Sequence, residues 1–293
     1  LDKAVLTRTG FDLAQVPEPD MALWNKFLQH LEGAQQEVKI ALVGKYVQLQ
    51  DAYKSIRESL THAAAYNDRK LVLKSILSDN LTAENIEAEL AGYQGVVIAP
   101  GFGSRGVEGK FAALKYAREH RIPCFGICMG MQCMAIEFAR DVLGYADANS
   151  TEFDPNTTHN VIDMMEAQKA LVNKGGSMRL GAYPCRLKEG SQVAKIYFGE
   201  QENEGAQAAS HIIYERHRHR YEFNHRYQAD FEAHGMECVG VNPDSGLVEI
   251  LALKDHPWFI GTQFHPEYSS TVLHPHPLFV DFIKTICNLT INH

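Results

Sequence analysis

Apolar and polar positions along the chain switch repeatedly between two periods. Val38-Lys39-Ile40-Ala41-Leu42-Val43 is a short, nearly uninterrupted apolar run closed by Gly44. Tyr53, Ile56, Leu60, Ala63 and Ala64 then recur at the spacing of a helix that buries one face. The couplet repeats: 70–77 reads as strand and 83–91 as helix, 95–99 as buried strand and 107–120 as helix, 122–127 as strand and 129–143 as helix. Apolar strands separated by helices of this length require crossover connections, which are right-handed. They predict an α/β fold with a mainly parallel sheet covered by helices on both faces, where ligands bind at the carboxyl ends of the strands. From about residue 176 to 265, short alternating segments broken by Gly, Asn and Asp predict antiparallel additions, with Trp258 to Phe264 as the last strand and Pro277 to Leu289 as a closing helix. At the other end, Asp20 is placed to cap a helix carrying Leu23, Trp24, Phe27, Leu28 and Leu31 on one side. Residues 1–36 therefore read as a lead-in with a docking helix, and 37–293 as the domain proper.

Composition narrows the classes. With 45% hydrophobic and 22% charged residues among 293, and no apolar run near the roughly 18–20 residues of a membrane helix, the chain is neither disordered nor an integral membrane protein. Thirty-six acidic residues against 28 basic ones give a net charge of −8, which argues against a nucleic-acid partner. Six scattered cysteines form no disulfide framework, and no signal peptide precedes Leu1, so a cytoplasmic setting is expected. The chain starts at Leu1 rather than Met and reads as part of a longer polypeptide.

The most informative chemistry lies in Pro123-Cys124-Phe125-Gly126-Ile127-Cys128-Met129-Gly130-Met131-Gln132. An apolar strand runs into a helix with Cys128 at the junction and a glycine two residues to either side, the pattern of a nucleophile elbow. A thiol at a helix N-terminus is also favoured as thiolate. The plainer alternative is a buried structural thiol; a metal cluster of Cys124, Cys128 and Cys133 lacks a paired CxxC spacing, so no metal site is expected. A base follows the last strand: in Phe264-His265-Pro266-Glu267, residues i and i+2 of an extended segment share a side, so Glu267 can orient the His265 imidazole. Cysteine, histidine and carboxylate together make an activated thiol site.

These two motifs resemble the class I (triad) glutamine amidotransferases. Five further segments in order, Val43 to Val47, Gly103 to Lys110, Asn149 to Phe153, Met178 to Gly181 and Glu215 to Glu222, are similar to the amidotransferase domain of CTP synthases. The resemblance implies that fold, with a flavodoxin-like core, and a glutaminase with Cys128 as nucleophile, His265 as acid and base, and Glu267 as its orienting carboxylate. It further implies glutamine contacts at Gly101, Met129, Gly130, Met131, Gln132, Glu152 and Arg220, and an oxyanion hole from the N–H groups of Gly101 and Met129. Arg105, Gly106 and Glu108 fall on a lid associated with activation by GTP. The family's other half, an upstream synthetase domain that uses ATP and Mg²⁺, is expected outside this chain, and a homo-oligomer, a tetramer, is expected of the full-length protein. The chain departs from the family pattern at Ala99-Pro100-Gly101-Phe102-Gly103, where Pro-Gly-Gly-Phe-Gly is common; Pro100 has no N–H to offer.

Other readings compete. Another class I amidotransferase or a gamma-glutamyl hydrolase shares the same triad logic. Gly101 to Gly106 is a literal GxGxxG after a strand, as in dinucleotide-binding oxidoreductases, but the next strand ends in Cys128 rather than an acid. Arg216-His217-Arg218-His219-Arg220 is flanked by Glu215 and Glu222 and reads as a solvated or substrate-facing strand rather than a nucleic-acid or metal site. His274-Pro275-His276-Pro277 reads as the turn before the last helix. A glycine-rich phosphate loop is missing near Gly109-Lys110, where the first glycine is replaced by Ser104 and the residue after the lysine is Phe111.

Overall fold

The computed structural model describes residues 2–49, 51–164, 178–199 and 211–291. Two helices, α1 (Asp2–Arg8) and α2 (Ala22–Gly33), precede four strand–helix couplets: β1 (Glu37–Gly44) and α3 (Lys54–Tyr66), β2 (Lys70–Leu77) and α4 (Ile86–Leu90), β3 (Gly95–Ile98) and α5 (Val107–Glu119), β4 (Cys124–Ile127) and α6 (Met129–Asp141). Then come β5 (Asn149–Ser150), β6 (Asn160–Met164), β7 (Arg179–Leu187), α7 (Gln192–Phe198), β8 (Ile212–His219), β9 (Tyr221–Phe223), α8 (Gln228–Ala233), β10 (Met236–Val241), β11 (Val248–Leu253), β12 (Phe259–Thr262) and α9 (Pro277–Ile291).

The main sheet has the order β2-β1-β3-β4-β12-β11-β10-β7-β8, and a small sheet joins β5, β6 and β9. The first five strands are parallel and the pairings from β12 to β8 antiparallel. This is the expected α/β architecture with antiparallel additions, and its parallel half has the flavodoxin-like order. One strand differs from expectation. β12 lies in the region read as antiparallel, yet it pairs parallel with β4, Phe259 opposite Cys124 and Thr262 opposite Ile127. All four of its residues are buried, as a strand covered on both faces requires. Residues 176–177 and 200–210 of that region lie outside the described residues.

Each face of the sheet carries its own core. On one side α5 and α6 pack Phe111, Leu114, Met134 and Phe138; on the other α3 and α9 pack Leu60, Phe279 and Phe282 around Phe125 and Trp258. Phe125 and Trp258 sit edge to face at 5.1 Å, and the indole donates to Asp281 at 3.0 Å. The helix expected before residue 36 exists as α2, with Asp20 accepting from the Ala22 N–H at 3.0 Å, although the cap position itself is Met21. None of its residues is buried, and α1 is a further helix that no apolar periodicity announced. Several elements are shorter than expected, β12 among them at Phe259–Thr262. The α4 helix covers only five residues because Asn85 ties the preceding turn to Thr82 and Asn80, and β4 begins after Pro123, which cannot donate to a ladder. Among the described residues no helix is long and apolar enough to cross a membrane.

Candidate active site

Cys128 is the single residue between β4 and α6, at φ 53° and ψ −106°. A side chain at such a positive φ is strained by roughly 1–3 kcal/mol and persists only where its surroundings impose the conformation. Here the Cys128 N–H donates to Thr262 of β12 at 2.7 Å, and its carbonyl accepts from Gln132 in the first turn of α6. The flanking glycines are dictated by packing: a Cβ on Gly126 would stand 2.8 Å from the Gly130 carbonyl group, and one on Gly130 2.3 Å from the Ile98 oxygen. The elbow's pattern thus records three backbones in contact.

The parallel register of β12 on β4 carries the chain past Thr262 to the same edge. The His265 N–H donates to Arg216 of β8 at 2.8 Å, and its Nδ1 meets Glu267 Oε1 at 2.8 Å. The pairing forms by a different route from the one expected. Pro266–Tyr268 is a 3₁₀ turn rather than extended chain, with proline in its first turn, and the turn delivers the carboxylate. Tyr268 stacks on the imidazole at 5.0 Å, while His265 Nε2 and Glu267 Oε2 have no hydrogen-bond partner among the described residues. Burial opposes the imidazolium, but the neighbouring Cys128 sulfur and then Glu267 outweigh it and push His265 up to about 11. The five other thiols are buried and all pushed up by burial, Cys133 to about 11 and Cys238 to about 12.

A cavity of about 320 Å³ opens before the thiol, lined by Gly101, Phe102, Cys128, Gln132, Glu152, Met178, His219, Arg220 and Tyr221. Glu152 and Arg220 give it an acid and a guanidinium, complements of the ammonium and carboxylate of a free amino acid. Glu152 Oε1 also accepts from the Gly103 N–H at 2.7 Å, thereby using a loop donor that a dinucleotide pyrophosphate would need. The Gln132 amide is committed to the Tyr221 carbonyl at 2.9 Å and Gln263 at 3.2 Å. Met129, Gly130 and Met131 do not line the cavity. Met129 and Met131 are buried in the core, Gly130 lies against β3, and what this segment can offer the site is main-chain N–H from the first turn of α6. Arg105, Gly106 and Glu108 also stand outside the lining: Arg105 bonds Asp79 at 2.6 Å and the Lys45 carbonyl at 3.0 Å, Gly106 has φ 71° at the start of α5, and Glu108 pairs with Arg140 at 3.4 Å.

Sequence reasoning missed what underlies β8. Burial alternates along it, with Arg216, Arg218 and Arg220 outward and His217 and His219 inward. His217 Nδ1 meets His219 Nε2 at 2.8 Å, and Arg179 pairs with Glu249 at 2.7 Å and Glu222 at 3.6 Å, all of them buried. Burial lowers His217 to about 2 and His219 to about 3, and raises Glu249 to about 7. The two-residue alternation of Arg and His was the available signal, since on a half-buried strand one of the two must face inward. Among the described residues no group of three or more His, Cys, Asp or Glu could hold a metal ion.

Comparison with known proteins adds three observations. The family model "Glutamine amidotransferase class-I" matches residues 48–285. CTP synthases of Bacteroides fragilis and Porphyromonas gingivalis are 59% and 54% identical over 284 residues each, which is 97% of this chain but 51% and 50% of theirs. The chain thus spans about half the length of these curated relatives. Among solved structures, the glutaminase domain of Trypanosoma brucei CTPS with bound acivicin superimposes with a TM-score of 0.77 at 36% identity, covering 86% of this chain and 94% of that one.

Proposed function

The chain belongs to the class-I glutamine amidotransferases, and from that premise we propose that it is the glutaminase half of a CTP synthase, hydrolysing L-glutamine to glutamate and ammonia. The observation that supports this most is a strained elbow thiol lining a cavity that carries Glu152 and Arg220, coupled to a carboxylate-paired histidine.

In this reading Glu152 receives the α-ammonium and Arg220 the α-carboxylate, which lays the side-chain amide against Cys128. Cys128 gives its proton to His265, whose imidazolium the neighbouring sulfur and Glu267 favour. Cys128 attacks the amide carbon, and the oxyanion that forms is met by the N–H groups of Met129 and Gly101. His265 gives its proton to the departing nitrogen, ammonia leaves, and a thioester remains. The now neutral imidazole takes a proton from water as it attacks, and glutamate departs with the thiol regenerated. Glu267 holds the ring for both transfers.

The rest of the proposal concerns the other half of the polypeptide. ATP and Mg²⁺ chemistry on UTP belongs to an upstream synthetase domain in a cytoplasmic homo-oligomer, and GTP acts at the loop of Arg105, Gly106 and Glu108. Ammonia release from glutamine by residues 1–293, abolished in Cys128→Ala, tests the glutaminase. Addition of ATP, UTP and Mg²⁺ should yield no CTP from this chain and CTP from the rejoined full-length protein.

A further inference from the structure

Two lysines are buried beside the nucleophile, and the steps above use neither. Lys110 on α5 is fully buried; its Nζ donates to the Ala99 carbonyl at 2.6 Å and lies 3.6 Å from Met129 Sδ. Lys45, just past β1, is 3% exposed and donates to the carbonyls of Phe102 at 2.5 Å and Gly103 at 2.7 Å. Burial pulls both below the ordinary lysine range, Lys110 to about 8. An ammonium is tolerated in such a place only with acceptors. The three main-chain acceptors named here all belong to one loop, 99–103.

That loop is held from both sides. The Ala99 N–H donates to Val43 at 2.9 Å, the Tyr53 phenol reaches the Pro100 carbonyl at 3.5 Å, and the Gly103 N–H goes to Glu152. Among the described residues no peptide bond is cis, so each N–H points opposite to the carbonyl of its own peptide. The Phe102–Gly103 peptide shows it directly, its oxygen on Lys45 and its N–H on Glu152. By the same rule the Pro100 carbonyl on Tyr53 turns the Gly101 N–H the other way, and Gly101 lines the cavity with Cys128. The Ala99–Pro100 peptide has no N–H at all. Gly101 also lies close against this side chain, since a Cβ there would stand 2.8 Å from Lys45 Cε and displace the lysine's end. The lysine stem therefore packs directly against Gly101 while its ammonium draws on the next two carbonyls.

We propose that Lys45 and Lys110 are positioning residues of the oxyanion hole: by drawing the carbonyls of Ala99, Phe102 and Gly103 away from the cavity, they fix the Gly101 N–H on the oxygen of the bound amide. This rests on the glutaminase reading. Tyr53 turns the Pro100–Gly101 peptide itself, and the two buried ammonium groups anchor the loop before and after it.

The test is Lys45→Met and Lys110→Met in the 293-residue chain, each keeping the stem and removing the donor. Glutamate formation should show kcat falling about 10- to 100-fold, short of or near the loss on deleting an oxyanion donor, with KM within about threefold. Iodoacetamide should alkylate Cys128 at the wild-type rate in both, because that displacement forms no oxyanion. A kcat within twofold of wild type, a rise in KM at constant kcat, or alkylation falling in step with kcat would each overturn the proposal. So would loss of a cooperative melt in both variants, which would make the lysines props of the fold. A wild-type chain that is alkylated at Cys128 yet releases no ammonia from glutamine refutes the glutaminase reading instead.

Discussion

Glu267→Gln isolates the carboxylate's part in the proposed triad. The side chain is buried, its Oε1 lies 2.8 Å from His265 Nδ1, and it is among the groups that keep the imidazole protonated against the pull of burial. Glutamine keeps the volume and can present its carbonyl oxygen to the same N–H, so the ring need not move. What is lost is the compensating charge on a buried imidazolium. Removing one partner of a buried ion pair costs about 3–5 kcal/mol, and the cost falls on the steps in which His265 carries the extra proton. At about 1.4 kcal/mol per decade, kcat should drop by roughly 10²- to 4 × 10³-fold. KM should hold within about threefold, because Glu267 is not part of the cavity lining. The assay is glutamate formation under saturating glutamine, paired with a thermal melt to show that the fold persists. A variant with more than a third of wild-type kcat would refute the argument and leave the carboxylate a structural neighbour of the ring.

A glutamine-like chloroketone should modify Cys128 before the other cysteines, as mass mapping of the labelled peptides can show; first labelling of Cys124 or Cys133 contradicts the assignment. Gly130→Ala should lower stability by about 1–3 kcal/mol by overpacking and abolish turnover, since its Cβ would drive α6 away from the Ile98 carbonyl; a denaturant midpoint unchanged from wild type contradicts it. Arg220→Lys keeps charge but loses the planar fork, so glutamine affinity should weaken by roughly 1–3 kcal/mol while ammonia-driven CTP formation in the full-length protein persists; equal loss with ammonia would make Arg220 structural. His256 is buried with its Nδ1 accepting from the Trp258 N–H, and burial lowers it from 6.5 to about 4. Its folded pKa lies below the unfolded one, so stability is intact above about pH 6.5 and falls as pH drops toward 4, by about 3 kcal/mol for this group; urea midpoints across that range that show no decline contradict it.

The parts of the fold legible in the sequence are those whose signal is local. Val38 to Gly44 announces β1 because a strand covered on both faces is apolar throughout, and Tyr53 to Ala64 announces α3 because a half-buried helix repeats every three to four residues. The elbow was legible for the same reason: Gly126 and Gly130 are glycines because two backbones approach within a Cβ's reach. The partner of β12 was not, since nothing in Phe259 to Thr262 says that it will lie parallel to a strand some 130 residues earlier. The lysine contacts to the loop and the Arg179–Glu249 pair were likewise invisible. In sequence a lysine or arginine reads as surface, and only tertiary packing decides that it is buried with acceptors. Exposed Leu23, Trp24, Leu28 and Leu31 make the converse case: helical spacing foretold α2 but not that its apolar residues stay 39–60% exposed.

Under the proposed roles, the topology also separates catalysis from recognition. Cys128 and His265 leave neighbouring parallel strands whose register is fixed by four consecutive pairs, so their geometry is set in the centre of the sheet, where burial is complete. Arg220 follows β8 at the far antiparallel edge, Tyr221 begins β9 of the small sheet, and Glu152 follows β5 of the same sheet. These substrate-facing groups reach the thiol only because β8 folds back, with the Arg216 carbonyl holding the His265 N–H and the Arg218 carbonyl 3.9 Å from the sulfur. Perturbations within the β4–β12 pair should therefore act on kcat. Those along β8 and the buried Arg179–Glu249 support beneath it should act first on KM, because they move the guanidinium relative to a nucleophile that stays in place.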